Sequence, residues 1–246
     1  MRAEREAGTS FIVYDAARVS EIGPEWFAAA HWPAAQRSQP AATGGRAPVL
    51  FVQHGADHWA IRHYYRGGLA GAVLTDQYVY TGMRRTRSVR EWDLLWYMRE
   101  LGLPVPAPVA AHVVRGKVFY RADLITERLP NVTSLAERFI AGDLSDADWA
   151  AVGACIGRFH AHAFLHADLN AFNIQLNDAG DVFVLDWDRG GTTGLGGPLL
   201  GNLKRLQRSL YKLSARTGAA LTGEQWQLLL QSHAANLQRP APRPPG

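Results

Sequence analysis

His166-Ala167-Asp168-Leu169-Asn170-Ala171-Phe172-Asn173, followed by Val182-Phe183-Val184-Leu185-Asp186-Trp187-Asp188, is the stretch on which the reading of this 246-residue chain turns. Between the two runs, Ile174-Gln175-Leu176 reads as a short strand, Asn177-Asp178-Ala179-Gly180 is turn-forming, and residues 182–185 form a second, strongly apolar strand. Upstream, Phe164-Leu165 reads as the end of an amphipathic helix. Asp168 and Asn173 are therefore expected on a loop leading into a hairpin, with Asp186 at the mouth of the returning strand. Phosphoryl transfer needs these polar groups. Asp168 can orient an attacking hydroxyl and accept its proton, while Asn173 and Asp186 can hold Mg²⁺ against the phosphates of ATP. Asp and Asn are common turn formers, so each alone could merely shape a loop. A carboxylate directly after four apolar strand residues is harder to dismiss, because it is either at a strand end or unfavourably buried. The ordered set H-x-D-L-x-x-x-N, strand, turn, strand, D is far more specific than any member.

His166 is expected to fix the loop backbone rather than to move protons. A metal site built from His160, His162 and His166 with Asp168 is disfavoured, because 160 and 162 point to different helix faces and a helical zinc site prefers i, i+4 spacing. Cys155 is the only cysteine; it excludes an internal disulfide, agrees with a reducing compartment, and falls among apolar helix positions. No apolar run approaches the roughly 20 residues that span a bilayer. The start of the chain is charged, with no signal-peptide core behind it, which reads as a protein that stays in the cytoplasm. A net charge of +4 favours acidic substrates or membrane surfaces and does not by itself indicate nucleic acid.

Along the chain, strands surround one helix in the first half, and helices surround one hairpin in the second. Strands are expected at 11–14, 49–53 and 59–65, with a hairpin of 109–114 and 118–125 across Arg115-Gly116-Lys117. Between them, residues 88–101 carry Val89, Trp92, Leu95, Trp96 and Leu101 at helical spacing, closed by Gly102. Later helices are expected at 134–140, 146–163, 199–216 and 223–238, with capping boxes at Ser134/Glu137 and Thr222/Gln225. This gives an N-terminal lobe at 1–129, a C-terminal lobe at 130–238 and a Pro-rich, disordered tail at 239–246.

The pattern resembles the protein-kinase-like fold: α+β and two-lobed, an antiparallel sheet with one helix ahead of a mainly helical lobe. More narrowly, Arg62-His63-Tyr64-Tyr65-Arg66-Gly67-Gly68-Leu69, Thr86-Arg87-Ser88, Gly102-Leu103-Pro104-Val105-Pro106, residues 120–127 and Asp186-Trp187-Asp188-Arg189-Gly190 are similar to the 3-deoxy-D-manno-octulosonic acid (Kdo) kinase family. That resemblance implies ATP-dependent phosphorylation of the 4-hydroxyl of Kdo on a lipid A precursor, with peripheral attachment at the cytoplasmic side of the inner membrane. Neither nucleic acid nor an obligate protein partner is implied. Arg62 takes the place of the usual strand lysine and offers a planar fork to the α- and β-phosphates. Glu91 is either its ion-pair partner or, through Ser88-Val89-Arg90-Glu91, part of a capping box. Gly44-Gly45 precedes a strand as a nucleotide cover should but lacks G-x-G-x-x-G spacing; Arg66-Gly67-Gly68 could touch phosphate or acceptor instead. Asp188 either assists the metal or is a surface loop acid.

Asp186 is followed by Trp-Asp-Arg, no Ala-Pro-Glu follows, and 60 residues remain after it, so a peptide-binding lobe of the usual protein-kinase type does not fit. Kinases of cationic small molecules would be expected to offer acidic walls. Here arginines cluster at 84, 85, 87 and 90, and basic residues again across 204–212, which suits an anionic sugar acid on a phosphorylated lipid. The neighbouring alternatives are a heptose kinase of the lipopolysaccharide core and a non-catalytic, kinase-shaped membrane protein; retention of Asp168, Asn173 and Asp186 together argues against the second.

Overall fold

The computed structural model describes residues 1–38, 49–65, 76–193 and 197–237. They gather into two compact units, one of Met1–Trp96 with Pro106–Arg128 and one of Tyr97–Val105 with Leu129–Gly246.

The first unit holds β1 (Arg2–Ala7), β2 (Ser10–Asp15), β3 (Arg37–Ser38), β4 (Val49–His54), β5 (Asp57–His63), β6 (Tyr78–Val79), the larger part of α1 (Arg87–Glu100), β7 (Pro108–Arg115) and β8 (Phe119–Glu127). The strands pair antiparallel in the order β1-β2-β7-β8-β5-β4-β3, with β6 also on β8. Strands β2 and β7 bury apolar residues on both faces: Phe11, Ile12 and Val13 are all buried, as are Val109, Ala110, Ala111 and Val113. Pro108 stands at the first position of its strand, where a missing N–H costs least. The strand β1 is absent from the sequence-based expectation because Arg-Ala-Glu-Arg-Glu-Ala has no apolar alternation. It is an exposed edge strand, and the Met1 ammonium lies 2.6 Å from Asp15 while Arg2 lies 2.9 Å from Asp93. After β2, Val19, Ile22 and Trp32 bury against Trp59, Ile61, Val109 and Ile125, so the stretch 19–32 covers part of one face of the sheet.

The second unit contains β9 (Val132–Ser134), α2 (Leu135–Ala141), α3 (Asp146–Ala161), β10 (Phe164–Leu165), β11 (Ile174–Asn177), β12 (Val182–Val184), β13 (Gly191–Thr192), α4 (Gly197–Thr217) and α5 (Gly223–Leu237). Residues 97–105, placed with the N-terminal lobe on sequence grounds, cluster here because their carbonyls are taken up locally. Arg158 donates to Gly102 O at 2.6 Å and Val184 N–H to Pro104 O at 3.1 Å. Both expected capping boxes form, and Ser145 with Asp148 makes a third. Among the described residues, an eight-stranded antiparallel sheet, two small sheets and five α-helices make the α+β, kinase-like fold expected from the sequence. The Pro-rich tail 239–246 lies outside the described residues.

One expected element is wrong. The helix does not run on to Leu165; it stops at Ala161, and Phe164-Leu165 is a strand paired with Gly191-Thr192. The His162 and Ala163 amides bond Phe159 and His160 carbonyls, a tightened last turn, and Ala163 then takes φ 58°. A left-handed residue usually announces itself as glycine, and alanine gives no such signal.

Helices α3 and α5 approach so closely that a Cβ on Gly153 would sit 2.2 Å from Leu229 O, and one on Gly157 would sit 2.6 Å from His233 O. Gly153→Ala gains at most about 1 kcal/mol of helix propensity. Overpacking against backbone costs about 1–3 kcal/mol or more. The net expectation is a lower melting temperature, and thermal unfolding that showed Gly153→Ala as stable as wild type would contradict this close packing.

Candidate active site

The loop between β10 and β11 is built from its own side chains. His166, 2 % exposed, accepts the Asp168 N–H at Nδ1 (3.1 Å) and lies with Nε2 2.8 Å from Leu185 O, which fixes Nε2 as the protonated nitrogen. Burial pulls its pKa down, so it is a neutral brace for the backbone, as its place in the motif suggests. Asn170 donates to Asp168 O (3.0 Å) and Oδ2 (3.2 Å) while its own Oδ1 accepts the Phe172 N–H at 2.9 Å. Asn173, buried, donates through Nδ2 to Asp168 O at 3.0 Å. Leu185 then ties the returning strand to this loop, its N–H donating to Asn173 O at 2.8 Å and its carbonyl accepting from His166. Asp186 is the next residue and sits at φ 66°, a left-handed conformation that Asp tolerates better than bulkier residues. Trp187 anchors the turn, buried and donating its indole N–H to Val184 O at 3.0 Å. The structure thus brings Asp168, Asn173 and the Asp186 turn together on one laced backbone, with the Asp168 side chain 68 % exposed.

Three residues of α4 complete this loop, and the sequence reading assigned none of them there. Asn202 clamps the His166 peptide from both sides, donating to its carbonyl at 2.6 Å and accepting its N–H at 3.1 Å. Behind Asn202, buried His160 places Nε2 3.3 Å from Oδ1 and Nδ1 2.8 Å from His233 Nε2, and burial pulls the His160 pKa to about 4. Ser209 Oγ accepts the Ala171 N–H at 3.2 Å, and Arg205 Nη1 lies 3.7 Å from Asp168 Oδ1. Positions 202, 205 and 209 follow i, i+3, i+7 and form one stripe beside the buried leucines 199, 203, 206, 210 and 213. An asparagine flanking a leucine stripe was the available signal. Cys155, also in this unit, is buried with its thiol pushed up to about 12, which leaves it inert.

In the first unit, Arg62 Nη2 and Glu91 Oε2 form an ion pair at 2.5 Å, with the Glu91 side chain 2 % exposed. Ser88 does not act as a cap: it lies inside α1 and its hydroxyl donates to His112 O at 3.0 Å. Of the two readings of Glu91, the ion pair is therefore the one the structure contains. Tyr64, which the sequence reading left without a role, donates its hydroxyl to Glu91 at 2.6 Å, accepts from Arg62 at 3.2 Å, and places its ring 4.8 Å from the guanidinium carbon. Burial, with Glu91 beside it, drives the Tyr64 pKa well above its usual value, so it stays a neutral donor. Gly44, Gly45 and the Arg66-Gly67-Gly68 run fall outside the described residues.

A kinase-like fold carrying an open Asp on a braced H-x-D-L-x-x-x-N loop defines a phosphotransferase. Residues 30–233 match the family model described as lipopolysaccharide kinase (Kdo/WaaP) family, and the chain belongs to that family. It is an ATP-dependent kinase. It is 39 % identical over 211 residues (84 % of this chain, 82 % of the relative) to the 3-deoxy-D-manno-octulosonic acid kinase of Stenotrophomonas maltophilia (strain K279a). Proteins of the same name from Xylella fastidiosa (strain M12) and Xanthomonas euvesicatoria pv. vesicatoria (strain 85-10) are 40 % and 41 % identical, over 82 % and 84 % of this chain and 80 % and 82 % of theirs.

Proposed function

We propose that this chain transfers the γ-phosphoryl group of ATP to the 4-hydroxyl of Kdo on a lipid A precursor, at the cytoplasmic face of the inner membrane. The observation that carries this reading is 39–41 % identity, across four fifths of both chains, to proteins named for that sugar acid. Asp168 is the proposed base: exposed, and aimed by its own backbone bonds, it accepts the hydroxyl proton as the sugar oxygen bonds the γ-phosphorus and ADP departs.

Asn173 and Asp186 are the proposed Mg²⁺ holders. Both offer hard oxygen donors, and the bond from Asn173 Nδ2 to Asp168 O makes Oδ1 the atom a cation would use. Among the described residues no trio of His, Cys, Asp or Glu is grouped to hold a metal, and Mg²⁺ needs none, since one or two protein ligands plus substrate phosphates suffice. When bound, Mg²⁺ would neutralise phosphate charge. Arg62, held by Glu91, would pair with the α- and β-phosphates.

Membrane attachment is proposed through the outer face of α4. Lys204, Arg208 and Lys212 are exposed there, and Leu200 and Tyr211 add apolar surface at 55 % and 53 % exposure. No helix among the described residues is long and apolar enough to cross a membrane. Each basic residue near an anionic bilayer adds about 1 kcal/mol. Replacing Lys204, Arg208 and Lys212 by Gln should reduce co-sedimentation with anionic vesicles and raise the lipid-acceptor KM, with the ATP KM unchanged and the effect fading in high salt. Unaltered vesicle binding would leave this face as merely solvated.

The acceptor is tested by incubating the protein with ATP, Mg²⁺ and Kdo-lipid A precursor and locating the new phosphate by mass spectrometry and NMR. Phosphate on the Kdo 4-hydroxyl is the expected result. Phosphate on heptose alone would reassign the chain to another lipopolysaccharide-core kinase.

A further inference from the structure

We infer that Arg205 binds the carboxylate of the acceptor sugar beside Asp168 and thereby helps select a sugar acid; this rests on the Kdo reading above. Of the three α4 residues at the catalytic loop, Asn202 and Ser209 bond backbone, at His166 and Ala171. They hold the loop's shape. Arg205 instead meets a side chain, the Asp168 carboxylate, and at 47 % exposure it is open to solvent.

The contact is loose. At 3.7 Å the nitrogen and oxygen attract as charges but are too far apart for a hydrogen bond. A guanidinium in that state has its fork geometry still to be matched by a planar anion, and a carboxylate is the shape it fits bidentately. Charge leads to the same place. No Lys or Arg occurs between Phe159 and Asp188, so the catalytic loop has no cation of its own. An anionic acceptor approaching Asp168 and a triphosphate would be repelled unless a neighbouring element supplied one, and the α4 residue that reaches Asp168 is Arg205.

The two groups then divide the acceptor between them. Its carboxylate takes the Arg205 fork, and a hydroxyl of the same ring meets Asp168. Asp168 takes the hydroxyl proton as the sugar oxygen bonds the γ-phosphorus, and the bond from that phosphorus to the bridging oxygen breaks to release ADP. Arg205 is a binding residue in this scheme, so its loss should fall on acceptor KM.

The test is steady-state kinetics of wild type, Arg205→Gln and Arg205→Lys with Kdo-lipid A precursor and with the same acceptor whose sugar carboxylate is converted to the neutral carboxamide. Arg205→Gln should raise the KM for the native acceptor by about 10–100-fold, the scale of one charge-assisted bidentate contact, with the ATP KM within about twofold. Arg205→Lys should recover part of the loss. On the carboxamide the difference between wild type and Arg205→Gln should vanish. An equal penalty on both acceptors would overturn the inference, showing that Arg205 serves Asp168 or a lipid phosphate; a raised ATP KM would place it on the nucleotide instead. An unchanged acceptor KM with active wild type would overturn this inference alone, whereas wild type inactive on the Kdo acceptor would overturn the Kdo reading with it.

Discussion

Asp168→Asn should lower kcat by about 10²–10⁴ while leaving ATP affinity little changed, because a positioned base acts in the transition state rather than in nucleotide binding. The substitution is nearly isosteric and the site suits it. The Asp168 N–H bond to His166 and the bonds from Asn170 and Asn173 to the Asp168 carbonyl are made by backbone and survive the change. The new amide oxygen can still accept from Asn170. Since the side chain is exposed, thermal stability should stay within about 0.5 kcal/mol of wild type. A loss of rate in this variant therefore reports the missing carboxylate. Asp186→Ala makes the useful contrast: as the proposed metal ligand Asp186 should affect Mg²⁺-ATP binding together with rate, so calorimetric titration of Mg²⁺-ATP separates the two roles. Retained turnover in Asp168→Asn would remove the base assignment, and normal Mg²⁺-ATP binding by Asp186→Ala would remove the metal one.

What could be read from the sequence follows the range of the interactions concerned. Asp168, Asn173 and Asp186 lie within 19 positions, on a loop and hairpin whose turn residues and apolar runs are local, so their placement was legible. Arg62 and Glu91 lie 29 positions apart, and the residues alone left Glu91 two partners. What decides between them is tertiary: the fold brings Arg62 onto Glu91, and Ser88 lies inside α1 rather than at its cap. The contacts of α4 were not legible. Asn202, Arg205 and Ser209 reach their loop partners across 36, 37 and 38 positions. A helix's own pattern tells which face is apolar and nothing about which loop lies over its polar flank. The same limit explains the basic stripe of α4. With no acid between Leu199 and Arg216 it looked unneutralised, yet Arg205 faces Asp168, far upstream. At β10 the failure was conformational, since a positive φ on Ala163 has no residue-type signature.

Arg62→Ala should reduce kcat/KM by about 30–1,000-fold, the equivalent of 2–4 kcal/mol of transition-state stabilisation for a lost charge-assisted clamp. The surrounding geometry sharpens the expectation. Glu91 is buried, and one of its carboxylate oxygens meets both the Arg62 guanidinium and the Tyr64 hydroxyl. Removing Arg62 takes a neutralising charge from a carboxylate shielded from water, so Arg62→Ala should also lower the melting temperature. Arg62→Lys restores a charge but not the planar group that reaches Glu91 and stacks 4.8 Å from the Tyr64 ring centre. Its stability should return further than its activity, because a point charge suffices to neutralise Glu91 while the proposed phosphate recognition uses the fork. Glu91→Gln separates the two contributions from the other side. It keeps an acceptor for the Tyr64 hydroxyl and removes the anion that holds Arg62, so activity should fall with a smaller loss of stability than in Arg62→Ala. Full activity in Arg62→Lys would show that fork geometry is irrelevant, and full activity in Glu91→Gln would show that Arg62 needs no partner to act.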